Sequence, residues 1–403
     1  MRHESFRPDV APAAPQRICF FFNAQLHHVY HGMPLALGLA RDPRFAVTIV
    51  AFTEDHLALA REIAAREGVD AMAFVHVGNR LLSALTRLLG KSTPPKLPAL
   101  LAARRLLARF DAVVVPERTS LRLRRLGLRD TCFIHTCHGA GDRAVGYDPR
   151  IREFDFVLLA GEKQERRMLD MGLIRPGHYA IVGYGKFDLV EGRLPDRLFA
   201  QDRPIVLYNP HFSPALSSWP AMGLDVIRQF ARDDRFNLVV APHIRMYDNR
   251  RARARMERQL AEFAMLPNIH IDLGSPASVD MRYVQAASVY VGDVSSQVYE
   301  YVVRPRPCLF LNAHQVHWQD DPSYRHWRYG PVHESAAGIV DKVAAAIASH
   351  PDYLPAQREG VVETFAGGEG RASARAARAV ADFLIQRART DAGQPAAEHV
   401  AAA

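Results

Sequence analysis

The sequence predicts an α/β protein of two facing Rossmann-like domains with a cleft between them. Three observations carry this expectation. Short apolar runs alternate with stretches of helical spacing, the alternation runs in two series, and a polar segment, "LVEGRLPDRLFAQDR" (189–203), separates them. Strands alternating with helices imply parallel sheets covered on both faces.

In the first series "RICFFFNA" (17–24) reads as a buried strand, and "HHVYHGMPLALGLARD" behind it as a helix. "FAVTIVAF", "AMAFVHV" and "DAVVV" continue the strands, with helices in "EDHLALAREIAAREG" and "PALLAARRLLARF" between them. "TCFIHTCHGAGD", "FDFVLLAG" and "YAIVGYGKFD" add three strands, each ending in a glycine-containing turn. The second series runs through "PIVLYNPHF", "GLDVIRQFARD", "FNLVVAPH", "NRRARARMERQLAEFA", "NIHIDLG" and "VGDVSSQVYEYVVRPRPCLFLN". A last helix follows in "RASARAARAVADFLIQRA". The expected boundaries are a disordered start over 1–16, a first domain over 17–190, a second over 204–386 and a disordered tail over 387–403.

At 403 residues and 48% hydrophobic composition the chain can bury large cores, which excludes a small binding module. Its four cysteines, Cys19, Cys132, Cys137 and Cys308, lie in or beside apolar runs without a disulfide framework's spacing, so they read as reduced and the protein as cytoplasmic. The N-terminus lacks the basic-then-apolar order of a secretory signal, and no apolar stretch reaches membrane-spanning length.

The formal charge of +8 is uneven: residues 80–129 hold twelve Lys or Arg against only Asp111 and Glu117. With leucine interleaved in "TSLRLRRLGLR", this segment suits an anionic membrane surface, and Arg118, Arg122, Arg124, Arg125 and Arg129 are its expected contacts. A solvated face is the alternative. No aromatic-interleaved motif accompanies the charge, so nucleic acid is not the expected partner.

Ligands of parallel α/β sheets meet the carboxyl ends of strands, which singles out four corners. "HTCHGAGDR" (135–143) offers His138 followed by Gly139; its cysteines and histidines fall on mixed faces of a strand, with no second pair at zinc-finger spacing. "GYGKFD" (183–188) offers Gly185 and Lys186 to an anion, although a simple boundary turn fits equally. "NPHF" and "APHIR" end two strands of one domain with His211 and His243. In "DVSSQVYE" a helix starting at Ser295 or Ser296 suits a phosphate, Asp293 or a serine could equally be only its cap, and Glu300 follows a turn later. "LGKST" (89–93) lacks a P-loop's first glycine, and no nucleophile elbow, H-E-x-x-H or C-x-x-C is present.

In this order the corners resemble the CDP-glycerol glycerophosphotransferase family, enzymes of the teichoic-acid primase and polymerase type with a GT-B-like fold. "DVSSQVYEYVVRPRPCLFLN" is similar to that family's D-Y-S-S segment and the R-P-initiated strand after it. His138-Gly139 matches its catalytic His-Gly, "GYGKFD" its G-x-P-R-x-D turn, "APHIR" its second-domain histidine and "YGPVHESAAGIVDKV" its G-P-V segment. Val294 stands where the family carries tyrosine, Gly185 and Lys186 where it carries proline and arginine, and "NPHF" where its P-T-x-R strand end falls.

The resemblance implies a CDP-linked polyol donor, most simply CDP-glycerol, and a lipid-linked or glycan acceptor. It makes His138 and His243 catalytic, and Gly139, Gly185, Lys186, His211, Asp293, Ser295, Ser296 and Glu300 donor-binding. No cofactor and no metal is expected, since no D-x-D site is visible. Nucleotide-sugar glycosyltransferases and UDP-sugar 2-epimerases, which share the two-domain cleft, are the rival reading.

Overall fold

The computed structural model describes residues 14–78, 88, 94–136, 139–190, 197–247, 249–368, 371–391 and 393. Its first unit is a seven-stranded, all-parallel sheet in the order β3-β2-β1-β4-β5-β6-β7. The strands are β1 (Gln16–Phe22), β2 (Phe45–Ala51), β3 (Met72–His76), β4 (Ala112–Val115), β5 (Cys132–Thr136), β6 (Phe156–Leu159) and β7 (Tyr179–Ile181). Its helices are α1 (His28–Ala40), α2 (Glu54–Arg66), α3 (Lys96–Leu107), α4 (Arg122–Arg125) and α5 (Glu162–Asp170).

β1 shows why the sheet is covered on both faces. Ile18, Phe20 and Phe22 join one core cluster and Cys19 and Phe21 another, as the two-residue period of a strand requires. An apolar residue at every position therefore marks a strand with no solvent face.

The second unit repeats the plan with six strands in the order β10-β9-β8-β11-β12-β13. They are β8 (Ile205–Asn209), β9 (Asn237–Val240), β10 (Ile269–Ile271), β11 (Val289–Gly292), β12 (Cys308–Leu311) and β13 (Val332–His333). Its helices are α6 (Trp219–Phe230), α7 (Arg250–Ala264), α8 (Arg282–Ala286), α9 (Gln297–Val302), α10 (Ile339–Ala348) and α11 (His350–Thr364). Each sheet reverses strand order once, between β1 and β4 and between β8 and β11, and such reversals open a crevice at the strands' carboxyl ends. The two-domain Rossmann-like architecture is thus the one the alternation predicts.

The last helix, α12 (Ala372–Asp391), departs from the expected boundaries. Ala376, Val380 and Leu384 recur every four residues and bury in the first unit's core, so α12 packs along α1 rather than closing the second unit. It also stays helical to Asp391, five residues into the expected tail. At the other end, β1 begins at Gln16, which pairs with Phe45.

A shared apolar cluster joins the units. Tyr184 and Phe187 of the first pack with Tyr299 and Phe365 of the second. Cys19, Cys132 and Cys308 are buried free thiols, and Cys137 lies outside the described residues.

Candidate active site

A cavity of about 360 Å³ lies where the two units meet, within the usual range for a small-molecule site. Gly139, Lys186, His211, His243, Ser295, Ser296 and Glu300, chosen from corners scattered along the sequence, all line it. His138 lies outside the described residues, immediately before Gly139.

The second unit brings two imidazoles together. β8 and β9 are neighbours, and each ends in a Pro-His pair, so the His211 and His243 rings lie 5.9 Å apart with Phe212 packed against both. Arg245 sits 4.1 Å over the Phe212 ring. Arg143 reaches across from the first unit, its Nη1 donating to His211 Nε2 at 2.7 Å. A guanidinium has only donors, so His211 must present a lone pair there and is neutral. Burial, reinforced by the Arg143 charge, lowers the His211 pKa to about 3. Burial together with Arg245 and Arg143 lowers that of His243 to about 4.

The residue before Arg143 also crosses. Asp142 forms a 2.8 Å ion pair with Lys163 of α5, accepts from the Tyr299 hydroxyl of α9, and lies 3.6 Å from His326 Nδ1. Burial alone would raise its pKa, but the His326 hydrogen bond and the Lys163 charge hold it at about 2. Gly141 lets this loop approach α9: a Cβ there would stand 2.8 Å from that of Ser296.

The two serines divide their labour. Ser295 is buried and its Oγ accepts from the Gln297 amide at 3.3 Å, the work of a cap, while Ser296 is exposed into the cavity. α9 has only six residues, so the helix start is a smaller source of positive charge than the arginines facing it.

Lys186 meets an anion, but it is the protein's own. Both carboxylate oxygens of Glu300 lie 2.8 Å from Lys186 Nζ, and the Tyr184 hydroxyl donates to Oε1 at 2.8 Å. Gly185 does not line this cavity; a Cβ there would stand 2.8 Å from Cβ of Pro34, so its role is to seat the turn against α1.

Asp293 lies behind the wall. Its carboxylate accepts from the amides of His211, Ser218 and Val294 and from the Ser218 hydroxyl, which pins the β8 loop to the β11 loop. Burial pushes its pKa up to about 6 despite these donors.

The first unit lines the opposite wall with Gln25, His27, His31, Arg118 and His135. His135 Nδ1 donates to the Val115 carbonyl at 3.1 Å while the ring stacks on Phe154. A carbonyl only accepts, so Nδ1 carries a hydrogen there. Among the described residues no group of three or more His, Cys, Asp or Glu is placed to hold a metal ion.

The expected membrane contacts separate. Arg118 lines the cavity 3.8 Å from Asp148, and Arg124 bonds Asp155 while lying over the Phe133 ring. Neither belongs to an outward basic face, whereas Arg122, Arg125 and Arg129 are exposed.

No family model and no curated protein matches the chain. Solved structures do match in fold. S. aureus MnaA in complex with UDP superposes with a TM-score of 0.61 at 12% identity, over 95% of this chain and 100% of that one. The wall teichoic acid polymerase TagF soaked with CDPG gives 0.60 at 13%, over 94% and 90%. A UDP-N-acetylglucosamine 2-epimerase gives 0.57 at 11%, over 96% and 99%. At these identities the likeness establishes the GT-B arrangement of two facing Rossmann-like domains.

Proposed function

We propose that this protein transfers a polyol phosphate, most simply glycerol phosphate, from a CDP-linked donor to a hydroxyl of a glycan or lipid-linked acceptor, releasing CMP. The observation that carries the reading is the Arg143–His211 contact across the cleft, with His243 and Arg245 beside it. These groups form a cationic, hydrogen-bonding wall at a strand-order reversal, where a nucleoside diphosphate is the natural occupant. The TagF structure carrying CDPG supports the choice of donor, as do the His138-Gly139 and Ser295-Ser296 segments.

In this mechanism His138 takes the proton of the acceptor hydroxyl as its oxygen bonds to the donor's β-phosphorus. The bond from that phosphorus to the bridging oxygen breaks, and CMP leaves with the oxygen and the electron pair. Phosphoryl transfer is catalysed mainly by positioning and charge. Arg143, Arg245 and His243 stabilise the diphosphate oxygens, Ser296 completes the seat, and His211 and Ser295 hold Arg143 and the helix start in place. Glu300 keeps acceptor capacity beyond Lys186 and Tyr184 for a ribose hydroxyl. Acceptors enter along the first unit's wall.

The likeness to MnaA with UDP favours a second reading, a UDP-sugar transferase or 2-epimerase. A thermal-shift screen of CDP-glycerol, CDP-ribitol, CMP and UDP-sugars, followed by product mass on the donor that binds, separates the two. Stabilisation by CDP-polyols and CMP alone supports the transferase; stabilisation by UDP-sugars alone replaces it.

A further inference from the structure

The loop after β5 has its carbonyls held and its amides left open. Lys163, Gln164 and Arg167 share one face of α5, and each donates to a different carbonyl of this loop. Lys163 Nζ reaches that of Ala140 at 3.2 Å, Gln164 Nε2 that of Gly139 at 3.1 Å and Arg167 Nη1 that of Asp142 at 2.5 Å. The Arg143 carbonyl accepts from the Gly146 amide at 2.9 Å. Gln164 is fixed in this sense, because its Oε1 accepts from the Ala160 amide at 2.9 Å.

The donors of the same loop have no such partners. Among the described residues, the five amides from Gly139 to Arg143 donate to no protein group. Buried amides are nearly always paired, yet Ala140 and Asp142 are only 3% and 4% exposed. A trans peptide points its N–H opposite to its C=O, so the Ala140, Gly141 and Arg143 amides turn away from the α5 side chains that hold their peptides. Gly139, Gly141, Asp142 and Arg143 line the cavity, which is the space left to these amides. The two glycines add no side chain to cover them, so a ligand can approach the backbone closely.

We propose that these amides form an anion cradle that holds the non-bridging oxygens of the donor's β-phosphate, the one under attack. The choice of phosphate rests on the transfer proposed above. Gly139 follows His138 in the sequence, and the cradle ends at Arg143, whose guanidinium joins the diphosphate wall. A Cβ at Gly139 would lie 3.8 Å from the Ser296 hydroxyl, so an anion in the cradle also meets Ser296. Backbone donors fixed in advance act most strongly where charge develops in the transition state. Lys163, Gln164 and Arg167 are positioning residues in this scheme, acting through the loop.

Titrating the full chain, enriched in nitrogen-15 glycine, with inorganic pyrophosphate tests the cradle without a nucleotide. The Gly139 and Gly141 amide resonances should move downfield, while those of Gly68 and Gly338, which do not line the cavity, stay in place. Gly139 and Gly141 resonances that do not move overturn the proposal. Replacing Ala140 by lactic acid, its α-hydroxy counterpart, turns that amide into an ester and removes one N–H without changing the side chain. Pyrophosphate affinity should then fall at least roughly tenfold with circular dichroism unchanged, and an unaltered affinity contradicts the cradle. In a nucleotide-release assay the ester should lower kcat while CMP affinity stays, since CMP lacks the β-phosphate. Weaker CMP binding would put the amide on the α-phosphate instead, against the proposal. A parent chain that shows the glycine shifts but releases no CMP from CDP-glycerol would refute the donor and support the cradle.

Discussion

Lys186 of the first unit and Glu300 of the second form a bidentate ion pair across the cleft, both contacts at 2.8 Å, with side chains only 4% and 9% exposed. The pair ties the turn after β7 to α9, and so fixes the spacing of the two walls of the cavity.

Removing one partner leaves the other charge buried, which costs about 3–5 kcal/mol, whereas replacing both can be nearly neutral. Lys186→Met should therefore lower unfolding stability by that order in urea titrations. Lys186→Met/Glu300→Leu should recover much of the loss. A single variant as stable as the parent would show that the pair opens in solution.

Gly141 makes a steric prediction. Gly141→Ala sets a methyl 2.8 Å from the Ser296 Cβ, so the 139–143 loop must retreat from α9 and carry Arg143 with it. Donor affinity should fall with little change in melting temperature. Unchanged affinity in Gly141→Ala would mean that Arg143 does not depend on this approach.

His211 and His243, held near 3 and 4, are neutral in the folded protein well below the ordinary histidine value of 6.5. The unfolded chain binds their protons first, so their contribution to stability is full above pH 6.5 and is lost as pH falls toward 4. Asp293, raised to about 6 from 3.8, works oppositely: it gains stability for the folded state as pH falls through 6. Two histidines outweigh one carboxylate. Melting temperature should drop from pH 7 to pH 5, less steeply in His211→Asn and more steeply in Asp293→Asn.

A general base supplies about 10²–10⁴ in rate, so His138→Ala should lose that much turnover while CMP affinity stays near the parent value. His135→Gln provides the comparison, since His135 is tied to Val115 and also faces the cavity. A large loss in His135→Gln with none in His138→Ala would transfer the role.

The fold was legible because buried parallel strands cannot hide: "RICFFFNA" and "DAVVV" have no polar face to confuse with a helix. β13 has only two residues, and α11 carries Pro351 and Pro355 with no clean apolar stripe, so neither announces itself. Position at a strand end marks His211 and His243, and one helical turn beyond the serines marks Glu300. Asp142 and Arg143 lay within the quoted "HTCHGAGDR" and Arg245 within "APHIR", but loop charges usually face water, and only the second unit's approach reveals their partners. Tyr299 and His326 matter through Asp142, a contact no local pattern encodes. Counting charges placed Arg118 and Arg124 on an outer face because a count ignores pairing with Asp148 and Asp155.

The central claim is that the Arg143, His211, His243 and Arg245 wall seats a CDP-linked diphosphate for transfer. The most direct measurement is nucleotide release: purified protein is given CDP-glycerol or a UDP-sugar with a hydroxyl acceptor, and free CMP and UDP are resolved by chromatography. The account predicts acceptor-dependent CMP release from CDP-glycerol, reduced at least roughly tenfold in Arg143→Ala, a hydrogen bond to a charged group being worth about 1.5–3 kcal/mol. UDP release from the sugar donor with no CMP release, or CMP release indifferent to Arg143, would contradict it.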